Sequence, residues 1–551
     1  MGFNTPLEDY SPTRYCSPKR VGVGSKFGDT RADRAGRSRF QIRSHRGDTA
    51  VDWFVRLSRQ RLHDERLACP DSFIVFPLAM FHHPQLSNKG RPFFACPTCV
   101  LTAPSFEREV VVPMKLTYAI LHHAPPHAAL ILGFLLVYSA LVVYVRSTCW
   151  RDPTSHFFQP HRAHAPSYST ARIRQARQYA DSAAKGRPEH GPRIHPPELC
   201  VGVPSVQREG ISYLKATLGS LQHGLAEDER ARLQFVVLLA HSNQTEHTDY
   251  GQPWLVNMAD SLPSYHDDPD RLALARLMEA NQTHAVKSKF DYSILMEECA
   301  RTGAPYMLLV EDDVIFLDGW RHRAVEAMSV ATMASWEAAH RDFLYLRLFY
   351  YEALLGWNME SWPRYTAWST FFVAILLTLL HLTRRFVAST RRYLTRPVFL
   401  LTLGLFTPLL LLLFFTAGAN CLFPQAPGVH LMPANACCGQ GLVFPLSTVL
   451  AELLPLFRRN RWSGSPTDSF IEDYADASGG LRWALTPVLM QHVGSKSTYE
   501  TRKSRYGNMT PSDIWNFAFE TNDVGRLAEE HILANKPWGG SRRGDDSRVW
   551  V

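Results

Sequence analysis

Three adjacent carboxylates lie in LLVEDDVIFLDGW, residues 308–320. Glu311, Asp312 and Asp313 follow a run of aliphatic residues that is typical of a buried strand. Along an extended chain Glu311 and Asp313 point to one side and Asp312 to the other. Two acids at this spacing can bind a hard divalent cation, which in turn neutralises a diphosphate. The triplet is therefore a candidate site for a divalent cation; a solvated strand end is the alternative, and the triplet alone favours that alternative.

Strand and helix patterns alternate around this triplet. Apolar runs at 198–206 and 232–242 predict two strands, and the run that leads into the triplet predicts a third. Helical spacing separates them, and a helix at 319–340 and a strand at 342–353 are expected after the triplet. The fold class is therefore α/β. Such alternation predicts a parallel sheet with covered faces, in which ligands bind beyond the carboxyl ends of the strands. The triplet lies at one of these ends.

Three apolar runs are long enough to cross about 30 Å of hydrocarbon. They cover 128–145, 367–383 and 397–419, and they contain no Asp, Glu, Lys or Arg. The loop 384–396 carries five arginines and no acid, so the positive-inside rule makes it cytoplasmic. The sequence thus predicts a signal-anchor helix with a cytoplasmic N-terminus, followed by a transmembrane hairpin.

This topology puts the two long segments outside the membrane on one non-cytoplasmic side. The first comprises a lumenal stem at 146–196 and the first part of a globular domain at 197–366, and the second part of that domain is at 420–551. Acceptor sequons for N-glycosylation fall within them, at Asn243, Asn281 and Asn508. Disulfides are permitted in such a compartment, although the pairing is open. Adjacent Cys437 and Cys438 are expected to be structural through a disulfide.

Residues 1–113 hold much of the basic excess. They carry 17 Lys and Arg against 11 Asp and Glu, while the whole chain has a net charge of +8. The rest of the chain is therefore not marked as a nucleic-acid binder. A composition rich in Arg, Ser and Gly indicates a disordered, dispensable cytoplasmic extension. Its lone CxxC, Cys96 to Cys99, has no second pair and does not predict a zinc site.

The triplet and the inserted hairpin together resemble a Golgi glycosyltransferase family that adds N-acetylgalactosamine to glycosylphosphatidylinositol (GPI) anchors after their attachment to protein. The shared features are one N-terminal membrane helix, a catalytic domain split by a tandem hairpin, an EDD triplet before it and a lumenal C-terminal part. The resemblance covers roughly 114–540. It implies a nucleotide-sugar transferase domain of the GT-A type, a UDP-sugar donor, a divalent metal such as Mn²⁺, and a Golgi membrane location. The reaction would be inverting transfer of N-acetylgalactosamine to a mannose of the anchor.

The hairpin has a physical rationale under this resemblance. A GPI anchor is held by its lipid chains, so its glycan stays close to the bilayer. Helices inserted beside the active site would keep the cleft at that height. GPI-anchored proteins or the GPI glycolipid are therefore the expected acceptors.

A second resemblance lies in the tail motif PVLMQHVGSKS, with Gln491, His492, Gly494 and Ser497. This motif is similar to the end of the catalytic domain in N-acetylglucosaminyltransferase IV, which branches N-glycans. An enzyme of that kind is the alternative function, and a non-catalytic membrane adaptor is a further one. In transferases of this fold a late histidine often completes the metal site. The metal candidates are therefore Asp313, which is the first choice, Glu311 and His492; for His492 a structural histidine packed beside Trp483 is the alternative.

Inversion requires a general base that removes the proton of the attacking hydroxyl. Glu472 and Asp473 in SFIEDYAD are the candidates, and helix capping is the alternative for both. The fold implied by the resemblance contacts uridine near the first strand, and a lysine suits a phosphate as a point charge. Surface charge is the alternative for each of these. The nucleotide-sugar candidates are Pro204, Val206, Arg208, Glu209, Lys287, Asp291, Glu311 and Asp312.

Overall fold

The computed structural model describes residues 126–186, 193–433, 438–460, 462–495 and 512–535, with side chains from residue 128. The chain divides into two units, Met1–Thr102 and Ala103–Val551. The first unit lies outside the described residues, as do the predicted extension 1–113, its CxxC, Cys437, Ser497 and Asn508. The second unit holds every element described below.

Helices and strands alternate through most of this unit, as the sequence predicts. Before the hairpin the elements are α1 (Pro126–Thr148), α2 (Tyr168–Ala183), β1 (Leu199–Ser205), α3 (Leu214–Gln222), α4 (Glu227–Ala231), β2 (Leu233–Leu239), α5 (Pro253–Met258), α6 (Pro269–Ala280), α7 (His284–Arg301), β3 (Tyr306–Val310), β4 (Val314–Phe316), α8 (Trp320–Ala339) and β5 (Tyr345–Arg347). The hairpin consists of α9 (Trp362–Phe386) and the helix α10 (Arg396–Thr416). Beyond it are β6 (Gly428–Leu431), β7 (Gly441–Pro445), α11 (Leu454–Arg459), α12 (Thr467–Ser478), β8 (Arg482–Thr486), β9 (Met490–His492), α13 (Phe517–Glu520) and α14 (Val524–Ala534).

Seven strands form one mixed sheet in the order β2-β1-β3-β7-β5-β8-β6. The strands β1, β2 and β3 are parallel, as the strand–helix alternation predicts. The prediction of a wholly parallel sheet is wrong, because β7 runs antiparallel to both β3 and β5. The chain enters β7 after the hairpin, not through a crossover helix, so the rule for strand–helix–strand units does not apply there. Strands from both sides of the hairpin thus build a single sheet.

Apolar side chains cover both faces of this sheet. Along β1 and β2 nearly every residue is buried, as expected for central parallel strands with helices on both sides. One face packs against α2, α3 and α8, and the other packs against α7 and α11. The helix α2 lies within the segment expected to be a stem. Its Tyr168, Arg172 and Ala180 are buried, so this part of 146–196 belongs to the core of the domain.

Three helical segments, Ala128–Arg151, Glu352–Phe386 and Arg396–Thr416, are long and apolar enough to cross a membrane. The rings of Phe134 on α1 and Phe406 on α10 stack with centroids 4.0 Å apart. A disulfide between Cys149 and Cys421 joins the chain just after α1 to the chain just after α10. The first helix and the hairpin are therefore linked both by packing and covalently.

Candidate active site

The triplet directly follows β3, at the carboxyl end of the parallel part of the sheet. Pairing of Val310 with Gly441 brings the start of β7 beside it. The Glu311 amide donates to the Gln440 carbonyl at 3.2 Å, and the Gln440 side chain donates to Glu311 Oε2, also at 3.2 Å. The strand that follows the hairpin thus fixes the first carboxylate of the triplet.

A second, two-stranded sheet brings His492 to the same place. Strands β4 and β9 are antiparallel, and Val314 pairs with His492. The Val493 amide donates to the Asp313 carbonyl at 2.9 Å. A Cβ built on Gly494 would lie only 2.1 Å from Asp313 Oδ2, so glycine is needed for this approach. Two segments about 180 residues apart in the chain are therefore held in register.

Glu311, Asp313 and His492 form a cluster with the composition of a metal site. Each offers one ligand atom, and these atoms all lie within 4.8 Å of one another. Asp313 is only 5% exposed, yet its Oδ1 has no hydrogen-bond partner. A buried carboxylate oxygen without a partner is unusual in a folded protein and fits a position where a cation binds. Two carboxylates and an imidazole also suit a divalent first-row metal such as Mn²⁺.

The carboxylates of Glu311 and Asp313 lie close together in this cluster and repel each other when both are ionised. Burial, and then the neighbouring Asp313, raise the pKa of Glu311 to about 8. Burial also opposes ionisation of Asp313, but His492 and Arg208 together lower the pKa of this carboxyl to about 2. Burial by itself would lower the pKa of His492, whereas Asp313 and Glu311 raise it. An added cation would relieve the repulsion between the two carboxylates.

Asp312 points away from the cluster and is held by two other residues. Its Oδ2 accepts from Ser205 Oγ at 2.6 Å, and its Oδ1 pairs with Arg208 Nη1 at 2.8 Å. Arg208 Nη2 also lies 3.3 Å from Asp313 Oδ2. Arg208 therefore bridges the second and third carboxylates, where a guanidinium can contact a diphosphate. Ser205 ends β1, so two neighbouring parallel strands supply this pair.

The other predicted nucleotide residues are distributed more widely. Pro204 and Val206 are half-buried at the end of β1, and Glu209 is exposed in the turn beyond Arg208. Lys287 and Asp291 lie in another buried group at the end of β2. Lys287 Nζ donates to the Ala240 carbonyl at 2.7 Å, to Tyr265 Oη at 2.8 Å and to Asp291 Oδ2 at 3.2 Å. Its three protons are thus used within this group, which is the arrangement of a structural lysine.

The two carboxylates predicted as general bases are not brought to the cluster. Glu472 Oε1 accepts from Tyr345 Oη and Arg347 Nη2, each at 2.6 Å, and its Oε2 accepts from Arg482 at 3.0 Å. Asp473 is exposed on the other side of α12. Because two guanidinium groups hold Glu472, its local role is to fix α12 against the sheet.

Asp468, one helical turn before Glu472, is the carboxylate of α12 that faces the triplet. A Cβ built on Gly439 would lie 3.4 Å from Glu311 Oε1 and 4.0 Å from Asp468 Cβ, so both residues border the same space. Asp468 is half-exposed and contributes to the raised pKa of Glu311. The hydroxyls of Thr467 and Ser288, 2.9 Å apart, pin this end of α12 to α7.

Sequence reasoning missed Asp468, and it also missed the contribution of Ser205 and Gln440. The spacing of Asp468 and Glu472 by four residues puts them on one helix face and could have drawn attention to the pair. Ser205 and Gln440 carry no such signal, because each is a common polar residue at a strand end.

Both Asn243 and Asn281 are exposed, as a glycosylation acceptor must be.

A buried acidic cluster at the carboxyl ends of parallel strands, in a chain with helices apolar enough to span a membrane, is an arrangement compatible with a membrane-bound transferase. A glycosyltransferase family model matches residues 199–491, from β1 into β9, which is more than half of the 551 residues. That model describes the GPI-N-acetylgalactosamine transferase PGAP4, and the chain belongs to this family. The family predicted from the triplet and the hairpin is thereby confirmed. A search of curated proteins gave no match.

Proposed function

We propose that this protein transfers N-acetylgalactosamine from its UDP conjugate to a mannose hydroxyl of GPI anchors on proteins. The observation that carries the proposal is the family match, which spans both the triplet and the inserted hairpin. The geometry of the site adds support, because the match includes the carboxylates that fit a metal ion and Arg208, which suits a diphosphate. The domain is proposed to be of the GT-A type.

Glu311, Asp313 and His492 would hold the divalent ion, proposed to be Mn²⁺. When bound, such an ion neutralises the diphosphate and so makes UDP a better leaving group. Asp312 keeps Arg208 in place through the contact at 2.8 Å. Gly494 leaves room for the Asp313 carboxylate. The chain's own contribution is thus to orient ligands and to bring positive charge toward the leaving phosphate.

Asp468 is proposed as the general base, in place of Glu472 and Asp473. In a single displacement the acceptor oxygen forms a bond to the anomeric carbon while the bond from that carbon to the phosphate oxygen breaks. The electron pair leaves with UDP, and the hydroxyl proton goes to the Asp468 carboxylate. Attack opposite an α-linked leaving group gives a β-linked product. Asp468 is half-exposed beside the cluster, whereas Glu472 is already held by two guanidinium groups.

A Golgi location with the domain in the lumen is proposed from the membrane helices and the cysteines. The disulfides Cys149–Cys421 and Cys200–Cys299 join residues that the positive-inside rule assigns to the non-cytoplasmic side. Cys438 is disulfide-bonded as well. The hairpin would hold the active site near the membrane surface, where the glycan of an anchored acceptor lies.

Incubation of the purified full-length protein with separate UDP-sugars and a GPI-glycan acceptor tests the function. We expect a product enlarged by one N-acetylhexosamine only with UDP-N-acetylgalactosamine, and loss of the product after treatment with a metal chelator. A soluble branched N-glycan serves as the competing acceptor. Transfer to the N-glycan and not to the GPI glycan would reject the proposal in favour of the branching enzyme.

A further inference from the structure

A basic cavity lies at the turn of the hairpin, where α9 ends and α10 begins. Its volume is about 580 Å³. Four arginines and two apolar side chains line most of it, namely Arg384, Arg385, Arg391, Arg396, Phe399 and Leu400. The proposed transfer reaction makes no use of this cavity, because the cluster of carboxylates belongs to the other elements of the domain.

The charge of this cavity is not balanced within the neighbouring sequence. No Asp or Glu occurs between Glu360 and Glu452. Arg391 donates from Nε to the Arg384 carbonyl at 3.2 Å and from Nη2 to the Arg385 carbonyl at 3.0 Å. This side chain thereby caps the last carbonyls of α9 and is held across the turn. The loop thus presents one fixed guanidinium beside the other arginines that line the cavity.

The position of the cavity brings it to a membrane surface. Both Glu352–Phe386 and Arg396–Thr416 are apolar enough to span a bilayer, and the cavity lies at the end they share. Phe399 and Leu400 are on the first turns of the apolar helix, and Leu400 is 71% exposed. A ligand there would meet guanidinium groups on one side and hydrocarbon on the other.

We propose that this cavity binds the phosphomonoester headgroup of an anionic phospholipid in the leaflet that faces the loop. Guanidinium groups bind phosphate oxygens in pairs, and several of them match a headgroup with more than one negative charge. The acyl chains would lie along Phe399 and Leu400. Basic pockets between membrane helices are well suited to such headgroups, and each arginine near the surface contributes roughly fivefold to binding.

The test uses the full-length protein in phosphatidylcholine nanodiscs, with or without phosphatidylinositol 4-phosphate, and native mass spectrometry of the retained lipid. The variant Arg384→Gln/Arg396→Gln removes two charges that line the cavity. Arg392→Gln is the matched control, because Arg392 lies in the same loop but stacks on Tyr393 and does not line the cavity. Thermal unfolding of each variant checks the fold. Soluble inositol 1,4-bisphosphate separates a lipid ligand from a free phosphate ligand.

We expect one phosphoinositide to be retained by the wild type and by Arg392→Gln, with about 25-fold weaker retention in the double variant. Transfer to a detergent-solubilised acceptor should be unchanged in all three proteins. Equal retention in the double variant, or equal loss in Arg392→Gln, would show that the cavity is not the binding site. Binding of the soluble headgroup as tight as that of the lipid would overturn the assignment to a phospholipid.

Discussion

The described residues include a buried group of carboxylates and a histidine at the triplet and another around His531, and these groups differ in how their charges are met. In the cluster of Glu311, Asp313 and His492, Asp313 Oδ1 has no hydrogen-bond partner. In the second group, both ring nitrogens of His531 have carboxylate partners. His531 Nε2 lies 2.8 Å from Glu229 Oε2, and its Nδ1 lies 3.2 Å from Asp318 Oδ1. We call this second group the α14 clamp.

The contrast separates a structural role from a chemical one. The α14 clamp joins a helix near the end of the described chain to α4 and to the loop after β4, and one imidazolium lies between two carboxylates. The cluster at the triplet instead brings two carboxylates close together, and Asp313 Oδ1 is buried there without a hydrogen-bond partner. A buried ionic group that is satisfied within the chain holds the fold together. One in which burial and a neighbouring carboxylate together raise the pKa of another, as happens to Glu311 beside Asp313, indicates a ligand.

The largest effect is expected for Asp313→Asn. Because this change removes a proposed metal ligand but keeps the shape of the side chain, it should lower the transfer rate about 10³-fold or more. The free energy of unfolding should change by less than about 1 kcal/mol. Loss of the repulsion between the carboxylates of Glu311 and Asp313 offsets the lost contact of Asp313 with His492. Transfer assays and thermal unfolding of the same preparation measure both. Normal transfer by this variant would remove the distinction between the two groups.

A second large effect is expected for Asp468→Asn, because it removes the proposed base while leaving all three proposed metal ligands in place. The turnover rate should fall about 10²-fold to 10⁴-fold, while binding of UDP stays unchanged. Glu472→Gln provides the contrast on the same helix. It should lower stability, since Arg347 and Arg482 lose their partner, and its folded fraction should retain the chemical step. The reverse pattern would assign the base to Glu472.

A moderate effect, on stability alone, is expected for His531→Gln. Removing the imidazolium leaves Glu229 and Asp318 buried without their counter-charge, and the free energy of unfolding should fall by about 2 kcal/mol. Chemical denaturation with a transfer assay on the folded fraction tests this. Lys215→Gln is a control, because the ion pair of Lys215 with Asp181 is exposed and contributes little. A selective loss of turnover in His531→Gln would contradict the structural role.

The smallest effect is the pH dependence of the α14 clamp. Burial by itself lowers the pKa of His531, but the hydrogen bonds that its ring donates to Asp318 and Glu229 outweigh burial and raise this pKa from 6.5 to about 9. The stability that comes from protonated His531 is therefore complete below pH 6.5 and lost as the pH rises through 9. Two further basic groups face the clamp: the ring of His322 stacks on the ring of His531, and Arg321 Nη1 lies 3.6 Å from Glu229 Oε1. The difference in unfolding free energy between wild type and His531→Gln should shrink over this range; a constant difference would refute the assignment.

The sequence predicted the local parts of this architecture well. Periodicity placed β1, β2 and β3 within a few residues, because these strands are continuous apolar runs. It also placed the triplet at a carboxyl end. The direction of β7 and the pairing of β4 with β9 were beyond such reasoning, since both depend on contacts between segments separated by the hairpin. The role of Glu472 was also beyond such reasoning. Its acidic motif is compatible with a free base, and the contacts with Arg347 and Arg482 appear only in the structure.

The central claim is that the triplet cluster binds a metal ion, whereas the α14 clamp holds the fold through the contacts of His531 with two carboxylates. Calorimetric titration of Mn²⁺ into the full-length protein with UDP present tests it most directly. One ion per chain should bind to the wild type and to His531→Gln with equal affinity, and binding to Asp313→Asn should be at least about 10-fold weaker. Equal affinity of Asp313→Asn and wild type would contradict the account.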